Sequence, residues 1–233
     1  MLKKFFFLIS FILTSCSAST LNENKSVNLS KPENIDMQQN TSVLKKSFDN
    51  LQAGIPNEYW TETYFKTINQ TTREADIESL QKSVLSDDDF EVRIWFGFGT
   101  TKLEGFVLSH IKNEWSATHI DSEFTSRKFA NRNIKLNEPK SGWNNAWQKL
   151  LGADILTLPD AESLNCNAGA KDGMSYVVEI KKGEIYRTYM YENPWIDSKT
   201  RCQEADQMLE IGSIIAEEFG LPEFKLKKFL VSW

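Results

Sequence analysis

Apolar residues come first as an unbroken run and then as spaced stripes. Lys3 and Lys4 precede Phe5-Phe6-Phe7-Leu8-Ile9-Ser10-Phe11-Ile12-Leu13. This run of nine residues is shorter than the roughly 20 that a membrane-spanning helix needs. Ser17 to about Thr41 has no apolar periodicity and is rich in Asn, Ser, Gln and Lys. Such a segment buries too little to offset its ordering entropy, so it reads as a flexible tether. Helical stripes follow over Val43–Gln52 (Val43, Leu44, Phe48, Leu51) and from about Ala75 to Leu85 (Ile77, Leu80, Val84, Leu85). From Phe90 to Phe98 the period becomes two, with Val92, Ile94, Phe96 and Phe98 on one face and Arg93, Trp95 and Gly97 on the other. Leu103–Ile111 and Trp115–Asp121 continue as strands, joined by polar turns at Thr100-Thr101 and Lys112-Asn113-Glu114.

Helical spacing returns at Trp143, Ala146, Trp147, Leu150 and Leu151, a short helix ended by Gly152. Ser175–Lys181 and Glu184–Tyr191 form a hairpin around Lys182-Gly183. A long helix over about Thr200–Phe219 carries Ala205, Met208, Leu209, Gly212, Ile215 and Ala216, and stops at Gly220 and Pro222. Phe224 to Trp233 reads as a last strand. Hairpins grouped together and helices kept apart predict an α+β fold, an antiparallel β-meander and hairpins packed with a few amphipathic helices.

Charge narrows the partners. The chain has 27 basic and 32 acidic residues, a formal net charge of −5. It lacks the basic stripe that phosphate backbones require, so nucleic acid is not an expected partner.

The first apolar run closes on Leu13-Thr14-Ser15-Cys16. Here the chain resembles the bacterial lipoprotein class, whose lipobox is a Leu, two small residues and a Cys; the resemblance covers the first sixteen residues. It implies that 1–15 is a lipoprotein signal peptide and that Cys16 becomes the first mature residue. The Cys16 sulfur would carry diacylglycerol, and its amino group a further acyl chain such as palmitate. Buried lipid contributes about 0.8 kcal/mol per methylene, so three chains would hold the protein firmly to a membrane. Residues 16–42 would then be a lipidated tether of r.m.s. reach roughly 25–30 Å, and 43–233 a single globular domain. Ser17, where Asp would favour inner-membrane retention, points to the periplasmic face of the outer membrane if the host is Gram-negative. In that oxidising compartment Cys166 and Cys202 remain as a pair, and a structural disulfide between them would stabilise the fold by roughly 3–4 kcal/mol. Neither sits in a Cys-x-x-Cys motif or beside histidine at ligand spacing.

Residues able to carry chemistry are few. The two histidines, His110 and His119, lie on consecutive strands. A two-residue turn at Asn113-Glu114 would place Leu108 opposite His119 and Ala117 opposite His110. Both rings would then share one face, diagonal to each other at ~7–8 Å, with Glu104 on that face by parity; an odd-length turn would change the partners. A His-His-Glu metal site is conceivable, but His-x8-His is not a recognised ligand spacing and His-Glu-x-x-His is absent. The expectation is therefore sheet histidines without a metal. Gly97-Phe98-Gly99-Thr100-Thr101-Lys102 lacks the order of a phosphate loop, and no Gly-x-Ser-x-Gly elbow occurs. Asp87-Asp88-Asp89 reads as a solvated turn. The expected catalytic set is empty, and the expected cofactor is none beyond the covalent lipid on Cys16.

The second hairpin offers the candidate binding surface: Glu179, Tyr186, Arg187, Tyr189 and Tyr191, with Glu192 at its end. The Lys182-Gly183 turn would set Glu179 opposite Tyr186, Val178 opposite Arg187 and Tyr176 opposite Tyr189, and Tyr and Arg are enriched at binding hot spots. Gly142-Trp143-x3-Trp147-x2-Leu150, Asp172-Gly173-x-Ser175-Tyr176-Val177-Val178-Glu179-Ile180 and Tyr186-Arg187-Thr188-Tyr189 resemble bacterial α+β proteins, a likeness that implies no site residue. The expectation is a membrane-anchored, non-enzymatic binding module with an envelope protein or peptide as partner. The alternative is a small envelope hydrolase or metal-assisted enzyme working through His110 and His119.

Overall fold

A computed structural model describes residues 44, 46–56, 61–98, 103–125, 128–164, 173–196 and 202–225. Six strands form one antiparallel sheet in the order β4-β3-β2-β1-β5-β6. They are β1 (Phe90–Phe98), β2 (Glu104–Ile111), β3 (Glu114–Thr125), β4 (Lys128–Lys135), β5 (Ser175–Lys182) and β6 (Ile185–Glu192). A π-helical turn, Thr61–Phe65, runs into α1 (Lys66–Glu74); α2 spans Trp143–Gly152 and α3 Glu204–Phe219, and a 3-10 turn follows at Pro222–Phe224. The chain is an α+β protein. No described helix is long and apolar enough to cross a membrane.

Both faces of the sheet are covered, which is why β1 is buried along nearly its whole length. On one face Phe90, Val92, Ile94, Phe106, Leu108, Tyr176, Val178 and Ile180 meet Trp147 and Leu150 of α2 and Met208, Ile211 and Ile215 of α3. On the other, Trp95, Val107, Ile120, Val177 and Met190 meet Tyr64, Phe65 and Ile68. Phe98 belongs to this second cluster, not to the face of Val92, Ile94 and Phe96. The cause is a register shift between Phe96 and Phe98, where Gly97 takes φ 104°. The inserted residue reverses the alternation, and at that φ a side chain would be strained.

Several sequence expectations are corrected. The helix lies at Lys66–Glu74 instead of about Ala75–Leu85, and it ends where Asp76 takes φ 54°. In the 75–85 stretch Leu80 is buried whereas Val84 is 87% exposed. In the 43–52 stretch the described residues 44 and 46–47 are helical and turns follow at 48–50, with Phe48 and Leu51 reaching the core. Strand β4 was not anticipated. The last helix starts at Glu204, later than expected, and ends at Phe219 with Gly220, φ 72°, as its cap. Of the expected Phe224–Trp233 strand, Phe224 lies in the 3-10 turn and 226–233 falls outside the described residues.

Both hairpin turns sit one residue from their expected places. The β2–β3 turn is Lys112-Asn113, with φ 53° and 64°, the left-handed pair of a type I′ turn. The backbone N–H of Lys112 donates to Asp89 Oδ1 at 2.7 Å, fixing it. The β5–β6 turn is Gly183-Glu184, so that Val178 opposes Tyr189, Ile180 opposes Arg187 and Glu179 opposes Thr188.

Candidate functional site

The hairpin residues singled out from sequence face inward. Tyr189 and Tyr191 are fully buried, and their hydroxyls donate to the carbonyls of Ile155 and Pro159 at 2.8 Å each. Arg187 donates to the carbonyls of Leu156 and Leu158. Asp160 accepts from the backbone N–H of Met190 at 2.9 Å. These groups satisfy the irregular 155–160 segment, whose buried carbonyls have no ladder of their own. Burial raises both tyrosine hydroxyls above their ordinary range and lowers the Arg187 guanidinium.

Glu179, on the opposite face, is buried and accepts from Trp95 Nε1 and the Tyr186 hydroxyl, each at 2.6 Å. Burial raises its carboxyl above the usual range, against the pull of Arg93 and both donors. Of the expected binding surface, Glu179, Tyr189 and Tyr191 are thus buried, while Tyr186 and Arg187 are half-buried. Alternation was legible, but elements packed on both sheet faces cover these positions.

The histidines share a face, as parity requires, but the register separates them. His119 opposes Phe106 and His110 opposes Trp115. Their positions are therefore four residues apart along β2, about 14 Å at ~3.4 Å per residue, instead of the expected diagonal contact. His110 packs against Phe90 (centroids 5.6 Å, interplanar 22°) and Trp115 (4.8 Å, 62°), and its Nδ1 is buried without a hydrogen-bond partner. Burial lowers its pKa below the ordinary 6.5, opposed by Asp89 and reinforced by Lys182. This is a neutral core ring.

His119 has a different setting. Glu104, the first residue of β2, lies diagonal to it on the same face, and Glu223 reaches it from the 3-10 turn. His119 Nε2 is 3.2 Å from Glu104 Oε2 and 3.4 Å from Glu223 Oε1. Glu104 and His119 are buried, while the Glu223 side chain is 28% exposed. The turn is held in register by Phe224, which is fully buried against Phe96, Phe106 and the His119 ring. The carbonyl of Phe224 accepts from Tyr176 at 2.7 Å. Gly212 of α3 makes this approach possible, since a Cβ there would stand 2.4 Å from that carbonyl oxygen.

The ligand atoms of Glu104, His119 and Glu223 lie within 4.8 Å of one another, a mixed donor set that could hold a metal ion. Two carboxylates at that separation repel by about 3 kcal/mol at an effective dielectric of 20. A single imidazole N–H points at one oxygen, whereas both carboxylates converge on the same Nε2. Glu104 and His119 were legible as sharing a face. Glu223 was not, because it lies 104 positions after His119 and its local sequence, Leu-Pro-Glu-Phe, signals only a turn.

The Cys202 sulfur is in a disulfide and does not titrate; the residue packs partly buried against the main core. Cys16 and Cys166 lie outside the described residues. Comparison with protein-family models finds no match, and comparison with curated proteins finds none.

Proposed function

We propose that this chain is a lipid-anchored protein of the cell envelope whose folded domain is a non-enzymatic binding module. The observation that carries the binding reading is the convergence of Glu104, His119 and Glu223, from three separate elements, on one partly exposed point. The anchor reading rests on Leu13-Thr14-Ser15-Cys16 behind a basic and apolar leader. In this reading Cys16 carries the lipid, 16–42 is the tether and Cys166 pairs with Cys202. The membrane is one partner and an envelope protein or peptide another; the outer membrane is favoured in a Gram-negative host.

The test of the anchor is metabolic labelling with radioactive palmitate, followed by membrane fractionation. Wild-type chain should take up label and sediment with membranes. Cys16→Ala should take up none and stay uncleaved or turn soluble. Label retained in Cys16→Ala would overturn the anchor.

A further inference from the structure

We propose that Glu104, His119 and Glu223 bind one divalent cation of the zinc type, in a three-ligand site with one position left to solvent. The proposal deepens the binding reading above by naming the ligand class at that cluster.

Four features of the cluster lead to it. The first is spacing. Donors held at about 2.0–2.1 Å from a tetrahedral zinc lie about 3.3 Å from one another. The two distances from His119 Nε2 are 3.2 and 3.4 Å, so the two edges that meet at the imidazole match such a tetrahedron, and the carboxylates, within 4.8 Å of one another, would close the third on binding. The second is charge. Two carboxylates and an imidazole sum to −2, which a divalent ion neutralises, and Glu104 and His119 are buried, where negative charge is costly. Donor chemistry is the third. An imidazole nitrogen in the set suits zinc and its neighbours better than calcium or magnesium, which take oxygen ligands. The fourth is access and rigidity. Glu223 supplies the exposed edge through which an ion enters, while Phe224 and the Tyr176 hydroxyl hold its turn in place. Three protein ligands with an open fourth position distinguish such a site from a closed structural one.

The site joins β2, β3 and the turn after α3, which are far apart in sequence. Bound metal should therefore stabilise the folded chain, since an assembled site does not exist in the unfolded one.

The test uses the full chain, purified without a histidine tag in detergent and stripped with EDTA. Zinc is then titrated against a chromophoric chelator, thermal unfolding is followed, and X-ray absorption is recorded on the loaded protein. One zinc should bind per chain and raise the unfolding midpoint, with one nitrogen and two carboxylate oxygens in its absorption spectrum. Glu223→Gln and Glu104→Gln, both isosteric, should each weaken binding ~10-fold or more, since even groups that merely support ligands cost that much. Glu217→Gln, at an exposed carboxylate on α3 that pairs with Lys225, should leave binding unchanged. The proposal is overturned if stripped protein takes up no zinc, if the two glutamine variants bind as tightly as wild type, or if the spectrum shows sulfur ligands. Loss of zinc binding in a chain that still incorporates palmitate would overturn this inference alone and leave the anchor standing.

Discussion

The β2–β3 ribbon carries a histidine toward each end of one face, and the two ends are built on opposite principles. At the turn end, His110 lies among Phe90, Trp115 and, through Phe90, Trp147 (centroids 4.9 Å). Its energy there comes from packing, and the cost is a ring nitrogen with no partner. At the other end, His119 stands between two carboxylates, with the ring of Phe224 against its edge. Residue type, hairpin and face are shared, so none of them decides what a histidine does. The elements laid over the sheet decide it: aromatic side chains of α2 at one end, a carboxylate from the 3-10 turn at the other.

The division is most exposed to a substitution that empties the aromatic end. Phe90 is buried and touches Phe48, His110, Trp115 and Trp147. Phe90→Ala should cost about 3–5 kcal/mol in urea unfolding. In metal-free protein Glu223→Gln should change stability by less than about 1 kcal/mol, because it relieves repulsion while losing one partly exposed contact. Comparable losses from the two variants would mean that both ends are packing sites and the comparison is empty.

Acid sharpens the contrast at intermediate magnitude. The folded-state pKa of His110 lies below its unfolded value of 6.5, because burial penalises the charged ring. Below pH 6.5 the unfolded chain therefore binds more protons than the folded one. The contribution of a neutral His110 is complete above that pH and is lost as pH falls toward the folded pKa, at up to ~1.4 kcal/mol per pH unit. His110→Phe keeps a planar ring against Phe90 and removes the titration. Measured in EDTA between pH 7.5 and 5.5, wild type should lose more stability than His110→Phe. Equal losses would show that the ring is protonated in place.

Legibility followed the period of the pattern and failed where an element has no apolar period. β1, β2 and α2 were found because Val92-Ile94-Phe96 and Trp143-Trp147-Leu150 repeat cleanly. α1 was missed because Lys-Thr-Ile-Asn-Gln-Thr-Thr-Arg-Glu has one large apolar residue, Ile68, and depends on contacts with β1 and β5. β4 was missed because Asn131, Arg132 and Asn133 break the alternation; among the described residues it is an edge strand, paired with β3. Both hairpins kept their facing but slipped by one pair, since moving a two-residue turn by one position preserves parity and changes every partner. Two of the three candidate site residues survive such a slip: Glu104 and His119 stay on one face under either register. Glu223 joins by tertiary packing alone, which no local pattern encodes.

The smallest expected effect lies at the turn beside His110. Lys112 and Asn113 both adopt positive φ, 53° and 64°, a conformation that asparagine tolerates far better than lysine. Asp89 compensates by accepting the Lys112 N–H at 2.7 Å, a backbone contact that any residue at 112 retains. Lys112→Asn should therefore stabilise the protein by about 0.5 kcal/mol, by lowering strain without altering the bond to Asp89. Paired urea titrations would resolve that difference. Zinc affinity should be unchanged, because the turn is at the far end of the ribbon from Glu104. A variant no more stable than wild type would mean that Asp89 already removes the strain. One that altered zinc binding would mean that the two ends of β2–β3 are mechanically coupled, and the separation drawn between them would have to be given up.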